Sequence, residues 1–303
     1  MAIHTIEPDE HTLHGFFSPE HPPVLMIDPG DTVRFRTLDA GWGLEPPTGD
    51  RERPRRHAVT VHGEPHGHAL CGPVAVRGAE PGMTLVVRID SLRVGGWGWT
   101  FGSDLAGGDE VLHLWTLDPE RLTGRNQHGH TVALRPFLGV MGNAPAESGR
   151  HSTIPPRPTG GNLDCKELVA GSTLYLPVAV PGALFSAGDG HARQGDGEIS
   201  GTAIECPIEE AVLTFDLRTD LSLAMPRAET PAGWLTFGLG DDMNTATVQA
   251  RDGMIDLIIE RHGLARPDAV ALASLVVDLR VTQIVNQVCG VHAVLPHDAW
   301  QTS

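Results

Sequence analysis

Glu80-Pro81-Gly82-Met83-Thr84-Leu85-Val86-Val87-Arg88-Ile89 reads as a proline-initiated turn that launches a β-strand. Proline presets the backbone at the first central position of such a turn, glycine supplies a left-handed conformation, and the apolar, β-branched run suits a buried pleated surface. Asp28-Pro29-Gly30-Asp31-Thr32-Val33 shows the same turn chemistry ahead of a second strand, Thr32-Val33-Arg34-Phe35. Pro22-Pro23 and Pro46-Pro47 add further breaks. The whole chain of 303 residues carries 36 Gly and 24 Pro without a three-residue glycine period, and 40% of it is hydrophobic. That combination excludes collagen and disorder, argues against a helical bundle, and predicts many short strands.

Beyond the first stretch, Leu174 to Val180, Thr202 to Glu205 and Ala211 to Leu217 read as strands, with a glycine-rich loop over 186–201. Arg150 to Thr159 holds three prolines and reads as an extended connection. Helical spacing is confined to the last quarter. Asn244 to Arg261 places Val248, Met254, Ile255, Ile258 and Ile259 at mixed three- and four-residue spacing, Gly263 marks its stop, and Pro267-Asp268 opens Ala269 to Leu279. A strand at Val291 to Leu295 closes the chain. The expected class is β-rich α+β with a late helical pair. Residues 1–303 are expected to form one compact unit of two intimately packed subdomains: a β-rich part over about 1–130 and an α+β part over 131–303, with a boundary that can be discontinuous.

Lys and Arg total 22 against 38 Asp and Glu, a formal net charge of −16. Such a surface repels phosphate backbones and anionic lipid, so neither nucleic acid nor membrane is an expected partner. Arg51, Arg53, Arg55 and Arg56, broken by Glu52 and Pro54, read as a solvated loop. Cys71, Cys165, Cys206 and Cys289 are far apart and show no metal or redox spacing, and the first residues lack the pattern of a secretory leader. Reduced thiols and a cytoplasmic location are expected.

Sixteen His give the first hint of metal or proton chemistry. Within residues 186–205, Asp189, His191, Asp196 and Glu198 alternate with Gly188, Gly190, Gly195 and Gly197. Glycines on both sides of acids and an imidazole let several donors face one point, which suits Zn²⁺ or another divalent cation; all-oxygen ligation would suit Ca²⁺. The order is not that of an EF-hand, and a polar turn with capping carboxylates is the bland alternative. Gly160-Gly161-Asn162-Leu163-Asp164-Cys165 offers an amide and a carboxylate, with Asp164 as helix N-cap to Lys166-Glu167-Leu168 as the competing reading. In a third strip, His62, His66 and His68 form a possible metal face or a solvated loop. Nothing marks Cys71 as a nucleophile. His292, alternating with apolar residues, reads as a satisfied core or interface histidine, while Trp97 and Trp99 suit a pocket floor or a gap between sheets.

These strips resemble the acetamidase/formamidase family. The matching residues are His68-Ala69-Leu70-Cys71-Gly72-Pro73, Arg77 to Gly82, Arg135 to Gly142, Gly160 to Asp164, Gly171 to Val178, Gly188 to Glu198 and Asp278 to Gln283. The resemblance implies a fold with a jelly-roll-like β-sandwich part beside a smaller α+β part. It also implies hydrolysis of a short aliphatic amide to carboxylate and ammonia, a divalent metal as in some members, and a homodimer; the imidazole among the donors puts zinc ahead of calcium. Cys71 stands where the family commonly shows Thr or Ser, and Cys165 where a polar residue is usual. On this reading Asp164, Asp189 and His191 are the metal ligands, Glu198 is the general base for metal-activated water, and Asp196 pairs with Glu198 or binds metal. Asn162 and His68 donate to the oxyanion. The alternatives are a metal-stabilised binding module for a small polar ligand, without turnover, and a thiol-dependent amidase using Cys71 or Cys165.

Overall fold

The computed structural model describes residues 1–46, 67–104 and 109–300. Both proline–glycine turns form as the sequence predicts. Met83 N–H donates to the Glu80 carbonyl (3.1 Å) and Asp31 N–H to that of Asp28 (3.0 Å), with Gly82 and Gly30 each at φ 91°. The strands they launch, Thr84–Val94 and Thr32–Thr37, flank Ile208–Arg218 in a nine-stranded sheet. Its spatial order is Ile3–Ile6, Thr32–Thr37, Ile208–Arg218, Thr84–Val94, Thr173–Pro177, Arg227–Thr230, Gly233–Gly240, Val288–Pro296 and Asp278–Asn286. Strands from both the early and the late parts of the chain therefore alternate within one sheet.

A six-stranded sheet faces it. Gly160–Asn162, Phe137–Gly142, Phe185–His191, Leu70–Val76 and Leu13–His14 lie side by side, with Leu25–Ile27 parallel to Leu70–Val76. Thr32–Thr37 alternates buried and outward residues, as expected of a strand covered on one face. Between the sheets the Phe185 ring meets Phe35 and Phe215 edge-on, at centroid separations of 6.3 and 5.1 Å. The sandwich and the late helical pair match the expected strand-rich class. A four-stranded sheet of Trp97–Ser103, Glu110–Asp118, Thr123–Asn126 and Thr131–Ala133 stands beside them.

Several local expectations change. Phe185–His191, expected as the start of a loop, is a strand. Its glycines serve close packing: a Cβ at Gly188 would stand 2.9 Å from Leu70 Cδ2, and one at Gly190 2.5 Å from Ile208 Cγ1. Thr202–Glu205 is not a strand; Glu205 only bridges to Trp99 and His191. Lys166 to Leu168 is not helical, so Asp164 caps nothing. Leu279 belongs to the strand Asp278–Asn286 and not to the second helix, because β-branched Val276 and Val277 end that helix.

Helix α1 (Met243–His262) starts at Asp242, whose side chain accepts from the amides of Asn244 and Thr245, and stops at left-handed Gly263. Helix α2 (Arg266–Val276) follows, with proline in its first turn. The buried face of α1, including Ala246, Ala250, Met254 and Ile258, packs on Trp234, Val291, Ala293 and Leu295 of the large sheet. Contact is closest at Gly238, where a Cβ would collide with the Ala246 carbonyl and stand 2.6 Å from the Ala250 amide. Gly238→Ala is expected to cost about 1–3 kcal/mol of stability by overpacking, read by urea denaturation; an unchanged midpoint would contradict this close approach.

Candidate active site

Phe137–Gly142 is the strand on which the site is built. On one side it pairs with Phe185–His191, carrying Asp189 and His191; on the other it pairs with Gly160–Asn162, which leads into Asp164. Gly139 in its middle has no side chain. A Cβ there would fall against Asp189 Oδ2, 2.7 Å from Asp164 Oδ1 and 2.9 Å from His191 Cε1. The glycine leaves a hollow into which three functional groups point.

His191 is the centre. Gln194 Nε2 donates to the Asp164 carbonyl (2.8 Å), so Gln194 Oε1 is left as the acceptor for His191 Nδ1–H (2.9 Å). With Nδ1 so engaged, His191 Nε2 faces Asp189 Oδ1 at 3.2 Å and Glu205 Oε2 at 3.3 Å. Neither oxygen makes an aligned hydrogen bond, and Asp164 Oδ1, 3.9 Å from His191 Nδ1, has none either. Asp164 Oδ2 is fixed by Asn286 Nδ2 at 2.5 Å. Glu198 joins Asp164 and His191 from a loop whose Gly197 bonds to Thr282 and Ile284. All five groups are buried, with residue exposures of 1–6%. Asp164, Asp189 and Glu198 hold left-handed backbone at φ 48°, 58° and 47°, strain of the kind that collects at functional sites.

Four carboxylates around one imidazole cannot all stay ionised without a counter-charge. Burial pushes Glu198 up to about 7 and Glu205 to about 8, with Asp189 adding repulsion in both. Burial and the Glu198 charge also raise Asp164. For Asp189, burial is outweighed by the charges of His191 and His68, and its carboxyl is held low. His191 is raised despite burial, because Glu205 and Asp189 favour its cation. Unpaired buried oxygens, an aimed imidazole nitrogen and a hollow between them fit a divalent cation. The two overlapping donor groups are Asp164–His191–Glu198 and Asp189–His191–Glu205.

Asp164, Asp189, His191 and Glu198 thus come together, while Asp196 does not. Its half-exposed carboxylate pairs with the Lys166 ammonium outside the group. Glu205 fills the space instead. Its sequence signal was an acid inside the apolar run Ala203-Ile204-Glu205-Cys206, which predicts burial rather than a strand face. Asn162 commits one amide hydrogen to the Ile154 carbonyl (3.0 Å), and its Oδ1 is buried without a partner. Half-buried His68 bonds through Nδ1 to Thr153 Oγ1 at 2.9 Å and contributes charge at Asp189. His62, His66 and the arginines at 51–56 lie outside the described residues. Trp99 Nε1 donates to Asp39 Oδ2 at 2.6 Å, and its backbone bridges to Glu205. A cleft of about 680 Å³ lined by Trp97, Trp115, Arg125 and Asn126 shares no residue with the acid–histidine group. Cys71 is fully buried with its thiol donating to the Arg36 carbonyl (3.3 Å), and burial raises the Cys71, Cys165 and Cys206 thiols.

Two predictions follow from this geometry. Glu198, Glu205 and His191 all have raised folded-state pKa values, so each holds its proton more tightly in the folded chain. Their contribution to stability is present at low pH and lost as pH rises through those values. Chelator-treated protein should therefore melt lower at about pH 8 than at about pH 5, and a divalent cation should restore the loss at the higher pH. Equal melting at both, unmoved by metal, would contradict the charge balance. Gln194→Ala should weaken metal retention by about 10–100-fold while the fold persists, as loss of an imidazole-orienting partner does. Metal content measured after dialysis tests this, and unchanged retention would count against the orientation role.

The chain matches the model of the Acetamidase/Formamidase family over residues 3–152 and 146–302. It is 28% identical over 249 residues to a formamidase of Methylophilus methylotrophus, covering 62% of this chain and 60% of that protein. An acetamidase of Mycolicibacterium smegmatis is 29% identical over 202 residues, covering 44% of this chain and 49% of that one. The chain thus spans only half to three-fifths of the length of these relatives. Among solved structures, an acetamidase from Bacillus halodurans superposes with a TM-score of 0.84 at 28% identity, covering 96% of this chain and 97% of that one. One from Yersinia enterocolitica gives 0.86 at 28%, covering 99% and 93%. The family match covers nearly the whole sequence, and this chain belongs to the acetamidase/formamidase family.

Proposed function

We propose that the chain hydrolyses a short aliphatic amide, of the formamide or acetamide class, to carboxylate and ammonia. The supporting observation is the convergence of Asp189 Oδ1, Glu205 Oε2 and His191 Nε2 on one buried point. The names of the related formamidase and acetamidase supply the substrate class. Asp164, Asp189, His191 and Glu205 would hold the divalent cation; the imidazole donor favours zinc over calcium. Such a cation supplies Lewis acidity toward an amide carbonyl and lowers the pKa of bound water to about 7.

The chain's own groups do the rest. Glu198 has a carboxyl near neutrality in the metal-free chain, suited to take a proton from water and deliver it to departing ammonia. His68 and Asn162 are assigned to the developing oxyanion, with the second amide hydrogen of Asn162 as its donor. Asp196 anchors Lys166 and takes no part in proton transfer. Burial and raised thiol pKa values argue against the thiol route at Cys71 or Cys165. Within the same reading the protein works in the cytoplasm as a homodimer, and its free cysteines suit a reducing compartment. The strands that both segments, about 1–130 and 131–303, contribute to one sheet support a single compact unit in which they pack intimately.

Glu198→Gln should cut ammonia release from formamide or acetamide by about 10²–10⁴-fold with bound metal retained. Full activity would remove Glu198 as the base, and lost metal would make it a ligand. Iodoacetamide should leave turnover intact; inactivation would restore the thiol route, and absence of turnover on any short amide would favour the binding module.

A further inference from the structure

A second donor group lies on the other side of the Asp164 loop and shares no residue with the first. Cys165 Sγ, Glu167 Oε2 and His292 Nε2 lie within 4.8 Å of one another, on side chains buried to 0–1% exposure. Glu167 Oε2 is 3.5 Å from the sulfur and 3.3 Å from the imidazole nitrogen. His292 Nε2 makes no aligned hydrogen bond, although it is fully enclosed. It is therefore not the satisfied core histidine that its apolar neighbours suggested.

The far ends of these side chains are anchored. His292 Nδ1 bonds to Thr282 Oγ1 at 2.8 Å. Glu167 Oε1 accepts from Arg280 at 3.1 Å, and Lys166 Nζ lies 3.8 Å from it. Outer partners of this kind fix ligand tautomer and direction at metal sites. The Cys165 thiol donates to Glu167 Oε2, so a thiol, a carboxylate and an unpartnered imidazole nitrogen meet at one buried point. We propose that Cys165, Glu167 and His292 form a separate structural zinc site, which ties the loop carrying Asp164 to the strands Asp278–Asn286 and Val288–Pro296. One thiolate, one imidazole and one carboxylate are a borderline-soft donor set that suits Zn²⁺ and not Ca²⁺ or Mg²⁺. Binding displaces the thiol proton to solvent, and thiolate plus carboxylate then balance the charge of the cation.

Cobalt distinguishes this site from the first, which offers only oxygen and nitrogen. Full-length protein, stripped of metal and titrated with Co²⁺, should develop a thiolate-to-cobalt charge-transfer band in the near ultraviolet. Cys165→Ser should abolish the band and lower bound cobalt by one equivalent per chain, while Glu198→Gln keeps the band. A variant replacing Cys71, Cys206 and Cys289 together by Ser, with Cys165 retained, should also keep it, which locates the thiolate even if Cys165→Ser fails to fold. Bound cobalt without the band in the unsubstituted protein would overturn the proposal. So would a band that survives Cys165→Ser, or one lost with the other three cysteines in a folded protein.

Discussion

Burial of four carboxylates around a single imidazole is opposed by desolvation and by mutual repulsion, and a counter-charge is what relieves it. In this protein the oxygens of Asp189 and Glu205 face His191 Nε2 across 3.2 and 3.3 Å. Only a proton or a metal ion makes that arrangement attractive. The folded chain meets the problem with raised carboxyl and imidazole pKa values, and a divalent cation would relieve the same repulsion. Much of the architecture around the site serves to keep these groups from moving apart.

Three features impose that constraint. The sheet places Asp189 and His191 on one strand and leads into Asp164 from another, with bare Gly139 between them. Gln194 and Asn286 lock the orientations of His191 and Asp164 from outside. Left-handed backbone at Asp164, Asp189 and Glu198 aims side chains that an ordinary strand or turn would point elsewhere. Asn286 comes from the late strand Asp278–Asn286, so the site is complete only when the end of the chain has joined the large sheet.

Much of this was legible in the sequence. The two Pro-Gly turns state their geometry locally, and the helix stop at Gly263 does too, because each depends on one or two residues. The string from Gly188 to Glu198 announced an acid–histidine site for a similar reason: so many small residues beside charged ones imply close approach. What escaped were choices made by distant partners. Asp196 and Glu205 are both acids near His191 in sequence, and only Lys166, placed beside Asp196 by the fold, separates the surface ion pair from the buried donor. Gly188 and Gly190 suggested a loop because no local signal shows that Leu70 and Ile208 press against them in a sheet. The meeting of Cys165 and Glu167 with His292 is longer-range still.

The most direct test of the central claim is elemental analysis of the purified protein beside ammonia release from a series of short aliphatic amides, before and after chelation and metal return. A bound divalent metal, turnover lost with it and recovered on its return, is the expected result. Turnover that survives complete removal of divalent metal would contradict the proposed role of the His191-centred group.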